Sequence, residues 1–134
     1  MVLNLKCIRD TLLALERCLV LNDELEFVGE NLDELRKSGE LLQYSRSDLA
    51  YTLVLLTEAD FIESYIDYAD DVIEELTVIR LTYKGHQFLD SIRPDSLWKK
   101  IYSISEVTGL KSLSTVMQIA DILLPEAIKS ALHS

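Results

Sequence analysis

With 134 residues, 49% apolar and 27% charged, the chain can bury one core and is too apolar to remain disordered. Four Gly and two Pro exclude a loop-rich or all-β scaffold, and no apolar run reaches the roughly 18 residues of a membrane span. The formal charge of −10 sits in the middle of the chain, where residues 23–76 hold sixteen acids against three bases (Arg36, Lys37 and Arg46), a field that opposes polyanions and anionic lipid and favours basic partners.

In chain order, the first element is a helix. Leu5, Ile8, Leu12, Leu15 and Leu19 recur at alternating spacings of three and four, which draws one apolar stripe. Asn4 is its N-cap and "LND" at 21–23 ends it. Cys7 and Cys18, about 16 Å apart along that helix, lie beyond disulfide reach. They read as reduced apolar residues of a cytoplasmic protein, and the first ten residues lack the pattern of a signal peptide.

Leu25, Phe27 and Val28 form a short strand with Gly29 as its turn. "NLDEL" at 31–35 carries a capping Asn and a Glu three residues on, so it reads as a short helix that Gly39 ends. In "YSRSDLAYTLVLLTEADFI", Ser45 and Asp48 make a capping-box-like pair, and Leu49, Leu53 and Leu56 face inward with Ala50 and Val54 on the flanks. Phe61 and Ile62 open an extended run to about Tyr68, "YADD" turns, and "LTVIRL" returns. Its alternation sets Leu76, Val78 and Arg80 against Thr77, Ile79 and Leu81.

Thr82 caps the next helix, with Phe88, Leu89 and Ile92 on its inner face, and Pro94 breaks it. Asp95 caps another, which turns Trp98, Ile101, Tyr102 and Ile104 inward until Gly109 stops it. Ser112 opens a last helix, apolar over more than one face from Leu113 to Leu124, which Pro125 kinks or restarts. This connectivity predicts a mainly helical α+β fold: a winged helix-turn-helix with a β-hairpin wing and a C-terminal helical extension. Residues 1–94 make the winged-helix domain, and residues 95–134 pack on it as one compact unit.

"LTYKGHQFLDSIRPDSLWKK" resembles the shared segment of a family of small bacterial and prophage proteins catalogued as a domain of unknown function, with YjcQ-like winged helices as neighbours. The blocks "LNLKCIRDTLLALE" and "YSRSDLAYTLVLLTEADFI" are similar to it as well. Within the segment, Leu81, Thr82, Gly85, Phe88 and Leu89 carry the winged-helix pattern, and Asp90, Ile92, Arg93 and Trp98 narrow it. The resemblance implies a winged-helix fold in a phage or mobile-element setting and brings no catalytic residues.

The residues themselves point away from enzyme chemistry. No Gly-rich phosphate loop, Cys-x-x-Cys, Gly-x-Ser-x-Gly or His-Glu-x-x-His occurs. His86 and His133 stand alone, and the acid pairs of the wing lack calcium-loop spacing. No catalytic, cofactor or metal residue is expected. For DNA, the recognition helix would present Arg46, Ser47, Tyr51 and Thr52, with Lys84, Arg93, Lys99 and Lys100 as a basic patch. The acids Asp67, Asp70, Asp71, Glu74 and Glu75 instead give the wing an anionic edge, which disfavours nucleic acid. The expected role is a non-catalytic interaction module with a protein partner, or with a second copy through residues 112–134. A DNA-binding regulator and an acidic DNA-mimic inhibitor are the alternatives.

Overall fold

The first helix begins where Asn4 satisfies a free amide. Its side chain accepts a 3.0 Å hydrogen bond from Cys7 N, and α1 (Leu5–Cys18) follows in the computed structural model, which describes residues 3–110 and 112–133. Residues 1–2 of the expected winged-helix domain and Ser134 of the expected dimer segment lie outside the described residues. α1 buries Leu5, Ile8, Leu12 and Leu15; Leu19, read as the end of that stripe, is the C-cap in extended backbone.

β1 (Val20–Leu21) and β2 (Phe27–Val28) then pair as a small antiparallel hairpin. Leu25 is not part of a strand: it sits in the connecting turn at φ 65°. β3 (Glu30–Asn31) leads into α2 (Leu32–Leu35), whose N-cap Asn31 accepts from Glu34 N. Gly39 does not end that helix; it opens a 3-10 turn (Gly39–Gln43) ahead of α3 (Arg46–Glu58). The Ser45 side chain caps α3 by accepting from Asp48 N, and Leu49, Leu53 and Leu56 are fully buried, as their spacing predicts.

β4 (Ile62–Ala69) and β5 (Val72–Leu81) form the long hairpin, and β3 adds to β5, giving an antiparallel sheet ordered β3-β5-β4. Strict alternation in β5 would set Leu81 opposite Leu76 and Val78. Instead all three are buried, because the pairing shifts between Glu63 and Ser64 and inserts one residue into β5. The hairpin turn is Asp70-Asp71, with φ of 49° and 69°. Both positions favour Gly or Asn. Replacing Asp71 with Gly is therefore expected to raise stability by about 0.5 kcal/mol, the relief of left-handed backbone exceeding the entropy glycine adds to the unfolded chain. The urea midpoint checks it.

α4 (Tyr83–Ile92) starts at the Thr82 cap and buries Phe88, Leu89 and Ile92. α5 (Asp95–Thr108) is preceded by Pro94 in the cap position, so Asp95 is its first helical residue rather than its cap. Its inner face is Leu97, Ile101 and Ser105, spaced by four. That line is rotated from the expected one, so Trp98 is half-buried while Tyr102 and Ile104 are exposed. Gly109 ends α5 with φ 73°, the left-handed geometry of a helix stop. α6 (Leu113–Leu132) runs through Pro125 without restarting.

The protein is thus α+β and mostly helical. Its core is shared by α1, α3, α4 and the inner face of the sheet. α5 and α6 pack on α4 and on each other, and Val116 and Ala120 of α6 join the same core.

Candidate interaction surfaces

The residues that make the sequence most distinctive build a joint. Thr82 accepts from Gly85 N at 3.0 Å and donates to the Asp60 carbonyl at 2.5 Å, while Thr82 N donates to Phe61 O at 3.1 Å. Gly85 lets α4 press on that corner: a Cβ there would collide with the Phe61 carbonyl oxygen and lie 2.8 Å from its carbon. Phe88 stacks on Phe61 with centroids 4.6 Å apart. The Leu-Thr-x-x-Gly-x-x-Phe-Leu pattern therefore records how α4 docks on the α3–β4 corner.

The charged residues after it form a clamp onto α1. Arg93 donates to both carboxylate oxygens of Glu16, at 2.6 and 2.5 Å, and to Asp90. The hydrogen bond from Arg93 holds the Glu16 carboxyl below its ordinary range, outweighing the opposing effect of partial burial. Arg9 of α1 reaches the other way. It donates to the carbonyls of Ile92 and Arg93, at 3.0 and 2.5 Å, and to Asp95 at 2.8 Å, and lies over the Trp98 ring. One guanidinium thus satisfies the last carbonyls of α4 and the first acid of α5.

The expected basic patch comes apart on this geometry. Arg93 is neutralised by Glu16 and Asp90. Lys84 stands over the Phe61 ring, 5.5 Å from its centroid. Lys99 and Lys100 do remain neighbours on α5, beside an apolar hollow of about 330 Å³ with Ile104 and Leu123.

The expected recognition face is altered too. Arg46 is held by Asp33, Nε to Oδ1 at 2.8 Å, a contact that also lowers the Asp33 pKa. Thr52 does not face outward: it is buried, donating to Asp48 O at 2.9 Å and to Cys7 Sγ at 3.4 Å. The Thr52 hydroxyl thereby bonds back to the preceding turn and fills the seam with α1, which leaves it nothing for a ligand. Ser47 is exposed and Tyr51 half-buried, with half-buried Ala50, Val54 and Leu55 on the same helix. The outer surface of α3 is consequently more apolar than cationic.

The hairpin expected to be a wing keeps its acids in water. Asp67, Asp70, Asp71, Glu74 and Glu75 are all exposed. Asp67 and Glu75 are cross-strand partners in the β4–β5 register, a like-charge pairing that weakens a sheet unless a cation meets it. The last helix has two halves: Val116 and Ala120 are buried, whereas Ile122, Ile128 and Leu132 are exposed. Residues 125–133 contribute nothing to the core.

One surface escaped the sequence reading. Val20, Leu21, Phe27 and Val28 are 43–53% exposed and Leu25 is 79% exposed, all on the β1–β2 hairpin. Behind it lies a pocket of about 140 Å³ walled by Leu15, Leu19, Leu21, Phe27, Leu81 and His86 among others. The signal was present: "VLNDELEFV" is two apolar pairs around an Asn-Asp turn, a hairpin pattern. Only its second half was read as strand.

Among the described residues no group of three or more His, Cys, Asp or Glu is placed to hold a metal ion, and no helix is long and apolar enough to cross a membrane. His86 is exposed, and His133 is exposed at the end of α6. Cys7 is buried, where loss of hydration pushes its thiol pKa up, and Cys18 is half-buried; both thiols are free.

No solved structure matches the chain. It is similar to an uncharacterised protein of Haemophilus influenzae, 30% identical over 88 residues that cover 63% of this chain and 72% of that one. A family described as "Hypothetical protein (DUF2513)" matches residues 2–111. That span holds α1 to α5, including the α4 joint and the Arg9 and Arg93 clamps, and the chain belongs to this family of hypothetical proteins.

Proposed function

We propose that the protein is a non-catalytic winged-helix interaction module, acting mainly through protein–protein contacts in the phage or mobile-element setting that the resemblance implies. The order of elements supports the fold reading. α1, the small β1–β2 hairpin, β3, α2 with its 3-10 turn, α3 and the β4–β5 hairpin follow in sequence, and β3 adds to β5, the second strand of that hairpin. α2 with its 3-10 turn and α3 take the helix-turn-helix positions, the β4–β5 tip is the wing, and α5 and α6 are the extension.

The observation that carries the functional reading is electrostatic. A winged helix grips DNA with its recognition helix and wing, and phosphate contacts from Lys and Arg supply most of the affinity. Here Arg46 is bound to Asp33 and Thr52 is buried, and the wing presents five exposed carboxylates. Both surfaces favour a basic or apolar protein over a polyanion. The opposed Asp67 and Glu75 give the DNA-mimic alternative its own support, since closely spaced fixed anions suit a basic groove. The exposed apolar residues Ile122, Ile128 and Leu132 make α6 the segment for pairing with a second copy.

Two measurements test the reading. Random and operon-derived duplexes are expected to show no retention at about 50 mM salt, where electrostatic binding is strongest; a salt-sensitive complex would reinstate the DNA-binding regulator. Affinity capture from the host is expected to yield a protein that is lost when Asp70, Asp71, Glu74 and Glu75 are changed to Lys. An unchanged set of partners removes the wing from the mechanism.

A further inference from the structure

The β1–β2 hairpin is built to hold an apolar side chain out in water. Leu25 occupies left-handed backbone, φ 65°, a conformation that costs a branched residue about 1 kcal/mol. The loop around it is nonetheless closed by four hydrogen bonds to one residue. The Asn22 side chain accepts from Glu24 N and Glu26 N, the Asn22 carbonyl accepts from Leu25 N, and Asn22 N donates to Glu26 O. A fully bonded loop that keeps Leu25 strained and 79% exposed is preorganised for contact rather than for its own stability.

The surroundings state what kind of contact. Asp23, Glu24 and Glu26 in the loop and Glu30 just beyond it take part in no ion pair among the described residues. No base occurs between Arg17 and Arg36. An apolar surface rimmed by unpaired carboxylates is matched by apolar side chains flanked by cations. Two copies of this hairpin face to face would oppose eight carboxylates, and anionic lipid would meet the same repulsion. The pocket behind the hairpin, about 140 Å³, is on the scale of the ~150 Å³ apolar cavities that accept a benzene-sized group. Its charged wall residues already have partners within the chain: Glu16 holds Arg93, and Arg80 holds Glu63 and lies over the Phe27 ring. Apart from the exposed His86, the rest of the wall is apolar side chains of Leu15, Leu19, Val20, Leu21, Phe27, Ile79 and Leu81, which suits an apolar group.

We infer that the β1–β2 hairpin is a docking surface for a basic amphipathic segment of another protein, with one Leu- or Phe-sized side chain entering the pocket beneath Phe27 and neighbouring Lys or Arg residues meeting Asp23, Glu24 and Glu26. The inference rests on the protein-contact reading above and gives the partner its chemistry. The surface is separate in sequence from both the wing and α6.

The test pans a displayed library of random 12-residue peptides against the full chain and resynthesises the enriched peptides for fluorescence anisotropy. Enriched peptides are expected to pair a large apolar residue with two or more Lys or Arg. Binding is expected to fall about tenfold in Leu25→Ser and in Phe27→Ser, the scale of losing an apolar anchor. Both positions are more than half exposed, so the thermal midpoints should stay near that of the unsubstituted chain. As a second reading of the same site, Asp23→Asn/Glu24→Gln/Glu26→Gln is expected to weaken binding and flatten its salt dependence. Neutral or acidic enriched peptides, or basic ones that bind all three variants as tightly as the parent, overturn the inference. So does a dimer in sedimentation that Leu25→Ser converts to monomer, which assigns the face to a second copy. A host partner lost on wing charge reversal but kept by the hairpin variants ends the hairpin proposal alone and leaves the protein-contact reading standing.

Discussion

Replacing Gly85 with Ala is expected to cost at least about 3 kcal/mol, the range of severe overpacking in a core. A single added methyl has this effect because of what it meets. The atoms in its way are the Phe61 carbonyl, main-chain atoms just before β4 rather than a side chain that can swing aside. The same carbonyl accepts from Thr82 N, and the Phe61 ring stacks on Phe88. Moving α4 outward by the required distance therefore breaks a hydrogen bond and an aromatic contact together. Chemical denaturation of purified protein checks the value. Thr82→Ala, which removes the cap and the hydrogen bond to the Asp60 carbonyl but leaves the approach distance intact, should cost less, about 1–2 kcal/mol. Equal losses in the two variants would mean that the close approach is not the controlling contact.

Replacing Arg9 with Ala is expected to cost about 2–4 kcal/mol, because it strands partly buried acceptors instead of merely deleting an exposed ion pair. The Arg9 side chain is only 13% exposed, whereas its partner Asp95 is 85% exposed. The loss accordingly comes from the carbonyls of Ile92 and Arg93 and from the packing on Trp98. Asp95→Asn should change little, as surface pairs usually do. Arg9→Lys should recover only a minor part, since an ammonium lacks the planar fork that reaches two carbonyls and a carboxylate at once. Thermal melts of the three variants give the ranking, and a full rescue by Lys would reduce Arg9 to a point charge.

Both predictions concern residues that the sequence marked as family-like without a reason. The structure supplies it: Thr82, Gly85, Phe88, Arg93 and Trp98 make the contacts that hold α4 against its neighbours. The exposed surfaces lie elsewhere: the acidic β4–β5 hairpin and the outer half of α6, which the sequence marked, and the apolar β1–β2 hairpin, which it did not.

Helix starts were legible because capping is local. Asn4, Asn31, Ser45, Thr82 and Ser112 each accept from an amide three residues on, and each was readable within a few positions. The β4–β5 hairpin was legible for a similar reason, with alternating apolar residues on either side of "YADD". The face of α5 was misread because Leu97 and Trp98 are neighbours and only the shape of the surrounding core selects between them. Leu81 was misread because a β-bulge changes the parity of a strand, and pairing, not composition, creates the bulge.

The amino-acid sequence by itself determined the helices, the long hairpin and the concentration of negative charge between residues 23 and 76. These follow from spacing, capping and counting along a few turns of chain. Only the tertiary structure decided which charges are free. Arg46 and Arg93 read alike as outward cations, and each is taken up by a carboxylate 13 or 77 positions away. Ion pairing and burial depend on distance through space, and the fold alone sets that distance.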